Sequence, residues 1–211
     1  MLNCFREPIS EIEEAAQSLD AAVSAHLEGE TARAEKLIRL ADIPAIRDWI
    51  ESILGKKSPY VRVLLAPERN SVGREPKRMP NALEKGQLHE RDGYHCRFCG
   101  IPVIRSETRA RIRRAYPNAL VWGKQNKARH AAFFAMWAQY DHLLPHAKGG
   151  TNSLSNIVVA CAACNFGRGG YTLAEVGLSN PLERAAIQSA WDGLERFARG
   201  PSASSFKPYP A

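Results

Sequence analysis

Cys96-Arg97-Phe98-Cys99 and Cys161-Ala162-Ala163-Cys164 are two cysteine pairs with the spacing of half-sites in a tetrahedral thiolate centre. Between them stand Asp141-His142 and Asn156, and Asn165 directly follows the second pair. A carboxylate beside a histidine, with an amide oxygen within reach, can hold a hard divalent cation and activate a water. Two protein oxygens completed by waters suit Mg²⁺, which keeps much of its hydration, and Mn²⁺ tolerates the same ligands. An imidazole takes a proton from water near neutral pH, and one cation can stabilise a leaving oxygen. The set is therefore equipped for phosphodiester hydrolysis.

These groups need elements to carry them. A strand beginning near Ala138 is expected to end at Asp141-His142, and Ile157-Val158-Val159-Ala160 supplies a second, β-branched strand. Pro145 to Ser155, marked by Gly149-Gly150 and Asn152, reads as the loop between them, and Cys164-Asn165 opens a helix. Neighbouring strand residues face opposite sides, so a bend or bulge at Asp141-His142 is expected to bring both into one site.

Helices are predicted around this unit. Ala82 to Arg91 runs into the first cysteine pair. Thr172 to Leu178 and Pro181 to Phe197 follow the second, the latter capped by Asn180-x-x-Glu183 with Ile187, Trp191, Leu194 and Ala198 as its stripe. Near the N-terminus, Ser10-x-x-Glu13 reads as a capping box before Ile12, Ala16, Leu19, Val23 and Leu27. Gly29 breaks that helix, and Thr31 caps a second with Ala34, Leu37, Ile38 and Ala41 on its inner face. Pro44 starts a third, whose stripe is Ile46, Trp49, Ile50 and Ile53 and whose end is Gly55. Tyr60 to Leu65 predicts a short strand. The proline-rich, basic stretch from Pro67 to Pro80 reads as a linker.

The whole chain has 211 residues, enough for one sizeable core or a modest core with a small satellite. Its net charge of +7 favours partners that carry phosphates. No apolar run approaches the roughly 18 residues of a membrane span, and the N-terminus lacks a secretory pattern. A cytoplasmic protein is expected. Four of the five cysteines fall in the two pairs, which in that setting read as zinc knuckles rather than disulfides. Cys4 reads as a small buried hydrophobe.

Taken in order, the first cysteine pair, Asp141-His142, Pro145, Gly149-Gly150, Asn156 and Cys161-x-x-Cys164-Asn165 resemble the HNH nucleases of the ββα-metal superfamily. Arg91-Asp92-Gly93-Tyr94 extends the likeness, which spans roughly Leu83 to Gly170. The resemblance implies an α+β fold: a ββα-metal core stapled by zinc on Cys96, Cys99, Cys161 and Cys164, with a helical N-terminal region and flanking C-terminal helices. It implies a metal-dependent DNA endonuclease in which His142 is the general base. Asn156 braces the loop and orients His142, while Asp141 and Asn165 hold a catalytic Mg²⁺ or Mn²⁺. The expected division is a helical region over 1–66, a linker over 67–81, a nuclease domain over 82–200 and a flexible tail over 201–211.

The chain departs from the compact family pattern in an insertion over 105–137. Arg105 to His130 holds eight Lys or Arg against one acid, Glu107. Beside a nuclease site such a cluster reads as a DNA-gripping arm. Arg109, Arg111, Arg113, Arg114, Lys124, Lys127 and Arg129, with His146 and Lys148 of the loop, are the expected contacts to DNA, most simply double-stranded. Ala131 to Trp137 is apolar nearly all round and is expected to be buried. Restriction or anti-phage defence is the setting that the resemblance suggests, and the N-terminal helices are a surface for a homodimer or a protein partner. The competing reading is a non-catalytic, zinc-stapled module that only binds nucleic acid.

Overall fold

The computed structural model describes residues 1–56, 58–60 and 79–200. All but Tyr60 of the strand expected over 60–65, most of the linker expected over 67–81 and the tail over 201–211 lie outside the described residues.

Three N-terminal helices come first: α1 (Ser10–Leu27), α2 (Thr31–Leu40) and α3 (Pro44–Leu54). The inner face of α1 alternates Ile12, Leu19 and Val23 with Ala15, Ala16, Ala22 and Ala25, so α2 can approach closely. Neither expected cap forms. Ile9 and Glu30 occupy the two N-cap positions, which makes Ser10 and Thr31 the first helical residues. A hydroxyl already inside the helix is not placed to accept from the exposed amides of the first turn. The stripe of α3 is as predicted, with Ile46, Trp49, Ile50 and Ile53 all buried behind Pro44 at the first turn.

Next comes α4 (Ala82–Asp92), closed at both ends by local chemistry. Asn81 and Glu84 form a reciprocal capping box, and Gly93 ends the helix at φ 67°. A Cβ on Gly93 would lie 2.1 Å from the Ile187 carbonyl oxygen, so the turn requires glycine on both counts. The buried carboxylate of Asp92 accepts from Arg91 and from the Val159 amide at 2.8 Å, tying the helix to the second strand.

The insertion supplies α5 (Ser106–Ala115) and α6 (Ala131–Ala135), and every residue of α6 is buried, as its composition predicts. The hairpin β1 (Gln139–His142) and β2 (Ile157–Ala160) is antiparallel, and α7 (Ala162–Arg168) follows directly. α3 packs against α6 and α7, and α4 against β2, so the N-terminal helices and the ββα unit share one hydrophobic cluster. Gly167 permits the approach of α7: a Cβ there would lie 3.0 Å from Ile53 and 3.2 Å from Phe5.

Two further expectations are corrected. Pairing runs in register through Asp141↔Val158 and His142↔Ile157, without a bulge. Downstream, α8 (Leu173–Val176) is one turn with a Thr172–Glu175 capping box, and Pro181 to Phe197 is not an α-helix. A 3-10 turn over Pro181–Glu183 leads into an extended pass across the first cysteine pair, then a 3-10 helix over Glu195–Arg199. Tertiary hydrogen bonds outweigh helical periodicity there. Arg184 donates to the Arg97 carbonyl at 2.8 Å, Trp191 Nε1 donates to the Val103 carbonyl at 3.0 Å, and Ile187 stays 48% exposed. No helix among the described residues is long and apolar enough to cross a membrane.

Candidate active site

The four paired cysteines converge. Cys96 and Cys99 flank a tight turn after α4, while Cys161 caps α7 and Cys164 sits in its first turn. Their sulfurs all lie within 4.8 Å of one another, and Cys99 and Cys161 are 3.7 Å apart. A zinc–thiolate bond of about 2.3 Å implies tetrahedral edges of about 3.8 Å, so the cluster has the dimensions of a zinc site. Burial raises the Cys96 thiol, but hydrogen bonds from Cys161, Cys164 and Cys99 outweigh it and hold that thiol well below its usual range. Cys4 is buried nearby, and burial pushes its thiol up to about 12, which suits the role of a small hydrophobe.

Above α7 opens a cleft of about 670 Å³, lined by Asp141, His142, His146, Asn165, Phe166 and Arg168 among others. A larger cleft of about 1000 Å³ lies between α1 and residues 189–196 and holds none of these groups. The hairpin and α7 thus bring Asp141, His142 and Asn165 to one cleft although the strand has no bulge.

His142 Nε2 donates to the Asn152 side-chain oxygen at 2.9 Å. An amide oxygen only accepts, so the bond assigns the proton to Nε2 and the lone pair of the neutral ring to Nδ1. Asn156 serves the loop instead. Its oxygen accepts from the Leu144 amide at 2.8 Å, and its nitrogen donates to the Leu144 and Thr151 carbonyls at 3.2 and 2.9 Å. Gly150 has to be glycine, because a Cβ there would lie 1.8 Å from the Leu144 carbonyl oxygen, and Gly149 sits at φ 92°. The braced loop presents Asn152 to His142. In the sequence Asn152 is only a loop marker, and no local signal distinguishes it from other loop asparagines.

Asp141 is 4% exposed and pairs with Arg168, which is 1% exposed. Burial pushes the Asp141 carboxyl up to about 6 even though the guanidinium pulls it down. Arg168 is absent from the residues that the sequence points to. A cation three residues after Asn165, on the same helix face, is the signal that could have found it. Asn165 Nδ2 donates to Gln139 Oε1 at 3.5 Å. The ring of His146 stands 5.8 Å from that of His142.

The insertion divides its charges. Arg109 lies 3.7 Å over the Trp122 ring and 4.7 Å from Trp137, and burial lowers its pKa to about 10. Arg129 packs on Trp122 and Phe134 and donates to the Gly123 and Lys124 carbonyls. Lys148 is ion-paired with Glu175 at 2.6 Å. Arg111, Arg113, Arg114, Lys124 and Lys127 are exposed.

Part of the chain is similar to a known family. Residues 136–177 match the family model of HNH endonucleases, a stretch that runs from just before β1 to the end of α8 and excludes the first cysteine pair. Comparisons with curated proteins and with solved structures found no match. The matched segment forms the hairpin and helix and holds two of the four clustered cysteines, so this part of the chain is similar to HNH endonucleases and its α+β arrangement fits a ββα-metal core.

Proposed function

We propose that the protein is a metal-dependent DNA endonuclease in which His142 is the general base and zinc on Cys96, Cys99, Cys161 and Cys164 is structural. The observation that carries this reading is the one cleft lined by Asp141, His142 and Asn165, with His142 hydrogen-bonded to Asn152. With Nε2–H held, the ring has its basic lone pair on Nδ1, where an attacking water is deprotonated. Asp141 and Asn165 are an oxygen donor set for Mg²⁺ or Mn²⁺, which would stabilise charge on the leaving 3′ oxygen. Because Asn165 Nδ2 is turned to Gln139, the amide oxygen is its ligand atom.

Phosphate contacts fall to the exposed Arg111, Arg113, Arg114, Lys124 and Lys127, with His146 beside the base. Arg109 and Arg129 support that surface from within through their tryptophan stacks. Duplex DNA is the substrate that a surface of phosphate contacts suits, and restriction or anti-phage defence in the cytoplasm is the setting. Cleavage of supercoiled plasmid with and without Mg²⁺, by the wild type and by His142→Ala, tests the reading. Metal-dependent cutting that is lost in the variant is expected, and equal cutting by both would remove His142 from its role.

One observation favours the non-catalytic alternative. Both oxygens of Asp141 already accept from Arg168, so a cation there must share the carboxylate with a guanidinium. That module would bind DNA and cut nothing in the same assay.

A further inference from the structure

Arg168 is the last residue of α7, and its guanidinium lies between the end of β1 and the turn that follows the helix. It carries five N–H groups, and each has an acceptor. Nε donates to Asp141 Oδ2 at 2.9 Å, and Nη2 donates to Asp141 Oδ1 and to the His142 carbonyl at 2.5 Å. Nη1 donates to the Tyr171 carbonyl at 2.5 Å and to the Leu143 carbonyl at 3.4 Å. Four of these five acceptor atoms belong to Asp141 and His142, which end β1, and to Leu143 just after it. At 1% exposure the guanidinium has no surface left for a substrate.

We infer that Arg168 is a positioning residue: its fork sets the plane of the Asp141 carboxylate toward a divalent cation and anchors the backbone of His142. The inference rests on the nuclease reading above. A carboxylate oxygen has two lone-pair directions. A guanidinium that engages both oxygens side by side takes one direction on each and leaves the other on each for a second partner. The ion pair therefore aligns the ligand without using it up. Lysine would keep the charge but not the plane, because an ammonium is a point donor.

The placement also links the two metal sites. Zinc would hold the first turn of α7 through Cys161 and Cys164, Asn165 follows within the same helix, and Arg168 closes it. One short, rigid helix thus sets the amide ligand and the partner of the carboxylate ligand together. Hydrogen-bonded partners of metal ligands typically contribute about 10- to 100-fold in metal affinity or activity.

The test is Mn²⁺ titration of the full-length, zinc-loaded protein, wild type against Arg168→Lys and Arg168→Met. Zinc content and melting temperature are measured on each, and cleavage and DNA affinity are followed alongside. Arg168→Met is expected to bind Mn²⁺ about 10- to 100-fold more weakly, with Arg168→Lys between it and the wild type. The kcat for cleavage should fall in the same order while DNA affinity holds. Should Arg168→Met fail to fold because it leaves Asp141 as an unpaired buried charge, Arg168→Lys alone decides. Wild-type Mn²⁺ affinity in Arg168→Lys would make Arg168 a mere charge counterweight, and tighter binding in either variant would make it a competitor of the metal. Each of those results overturns the inference and leaves the nuclease reading standing. A wild type that neither binds Mn²⁺ nor cuts DNA overturns both.

Discussion

Asn152 and His142 are ten positions apart and meet at 2.9 Å, side-chain oxygen to Nε2, because the loop between them is folded back by Asn156. General-base catalysis depends on which ring nitrogen holds the proton, so this bond bears on rate rather than on affinity. General bases contribute about 100- to 10,000-fold. Asn152→Ala removes orientation but not the base itself, and should lower single-turnover cleavage at the lower end of that range. Duplex affinity should stay within about twofold, since phosphate contacts supply it. A cleavage rate equal to the wild type would show that the loop orients His142 without Asn152.

Zinc should be present at one ion per chain, because the four sulfurs fit a single tetrahedral centre. Cys161→Ser should lose zinc and lower the melting temperature, as closure of the site joins α7 to the turn after α4. Metal analysis of freshly purified protein together with thermal denaturation reads both. Full zinc occupancy in the variant would disprove the four-thiolate site.

The two kinds of arginine in the insertion should fail differently. Replacing Arg111, Arg113 and Arg114 with alanine should flatten the salt dependence of duplex binding by about 0.9 in log–log slope for each phosphate that is no longer neutralised. Arg109→Ala should lower stability by about 1–2 kcal/mol through loss of its tryptophan stack, and leave that slope unchanged. If the triple variant keeps its slope, the nucleic acid does not cross α5.

Asp141 gives the candidate metal site a pH dependence. Burial raises its carboxyl to about 6, so the group is charged above that pH and neutral below it. Mn²⁺ affinity should fall as pH drops from 7 to 5, and should do so in His142→Ala as well, which separates Asp141 from the imidazole. Stability moves the other way. The folded protein holds this proton more tightly than the unfolded chain, whose carboxyl titrates near 3.8. The contribution of Asp141 to stability is thus fully present below that value and is lost as pH rises through about 6. Calorimetry across this range checks the affinity, and an affinity independent of pH would mean that Asp141 is not a ligand.

Much of the site is legible along the chain because its parts are local. A C-x-x-C pair makes a tight turn whatever surrounds it, Ile157 to Ala160 forms a buried strand by composition, and Gly149-Gly150 admits a turn that a Cβ would block. The strands, α4, α7 and the buried α6 follow from such signals, as do the cysteine cluster and the matched segment. Helical periodicity misleads over 181–197, since it reports what the backbone would do alone. Arg184 and Trp191 instead bond to the first cysteine pair and the turn after it, 87 and 88 positions away.

The sequence by itself determined the candidate groups: two cysteines in the turn after α4, then a carboxylate, an imidazole, two amides and two more cysteines along the hairpin and α7. Only the tertiary structure decided their partners. Arg168 meets Asp141 across 27 positions, and Arg109 turns from the solvent-facing charges beside it to stack on Trp122. A side chain's chemistry is carried in its own atoms. Whether its charge faces water, a ring or a buried carboxylate depends on how separate elements dock, and neither spacing nor composition records that.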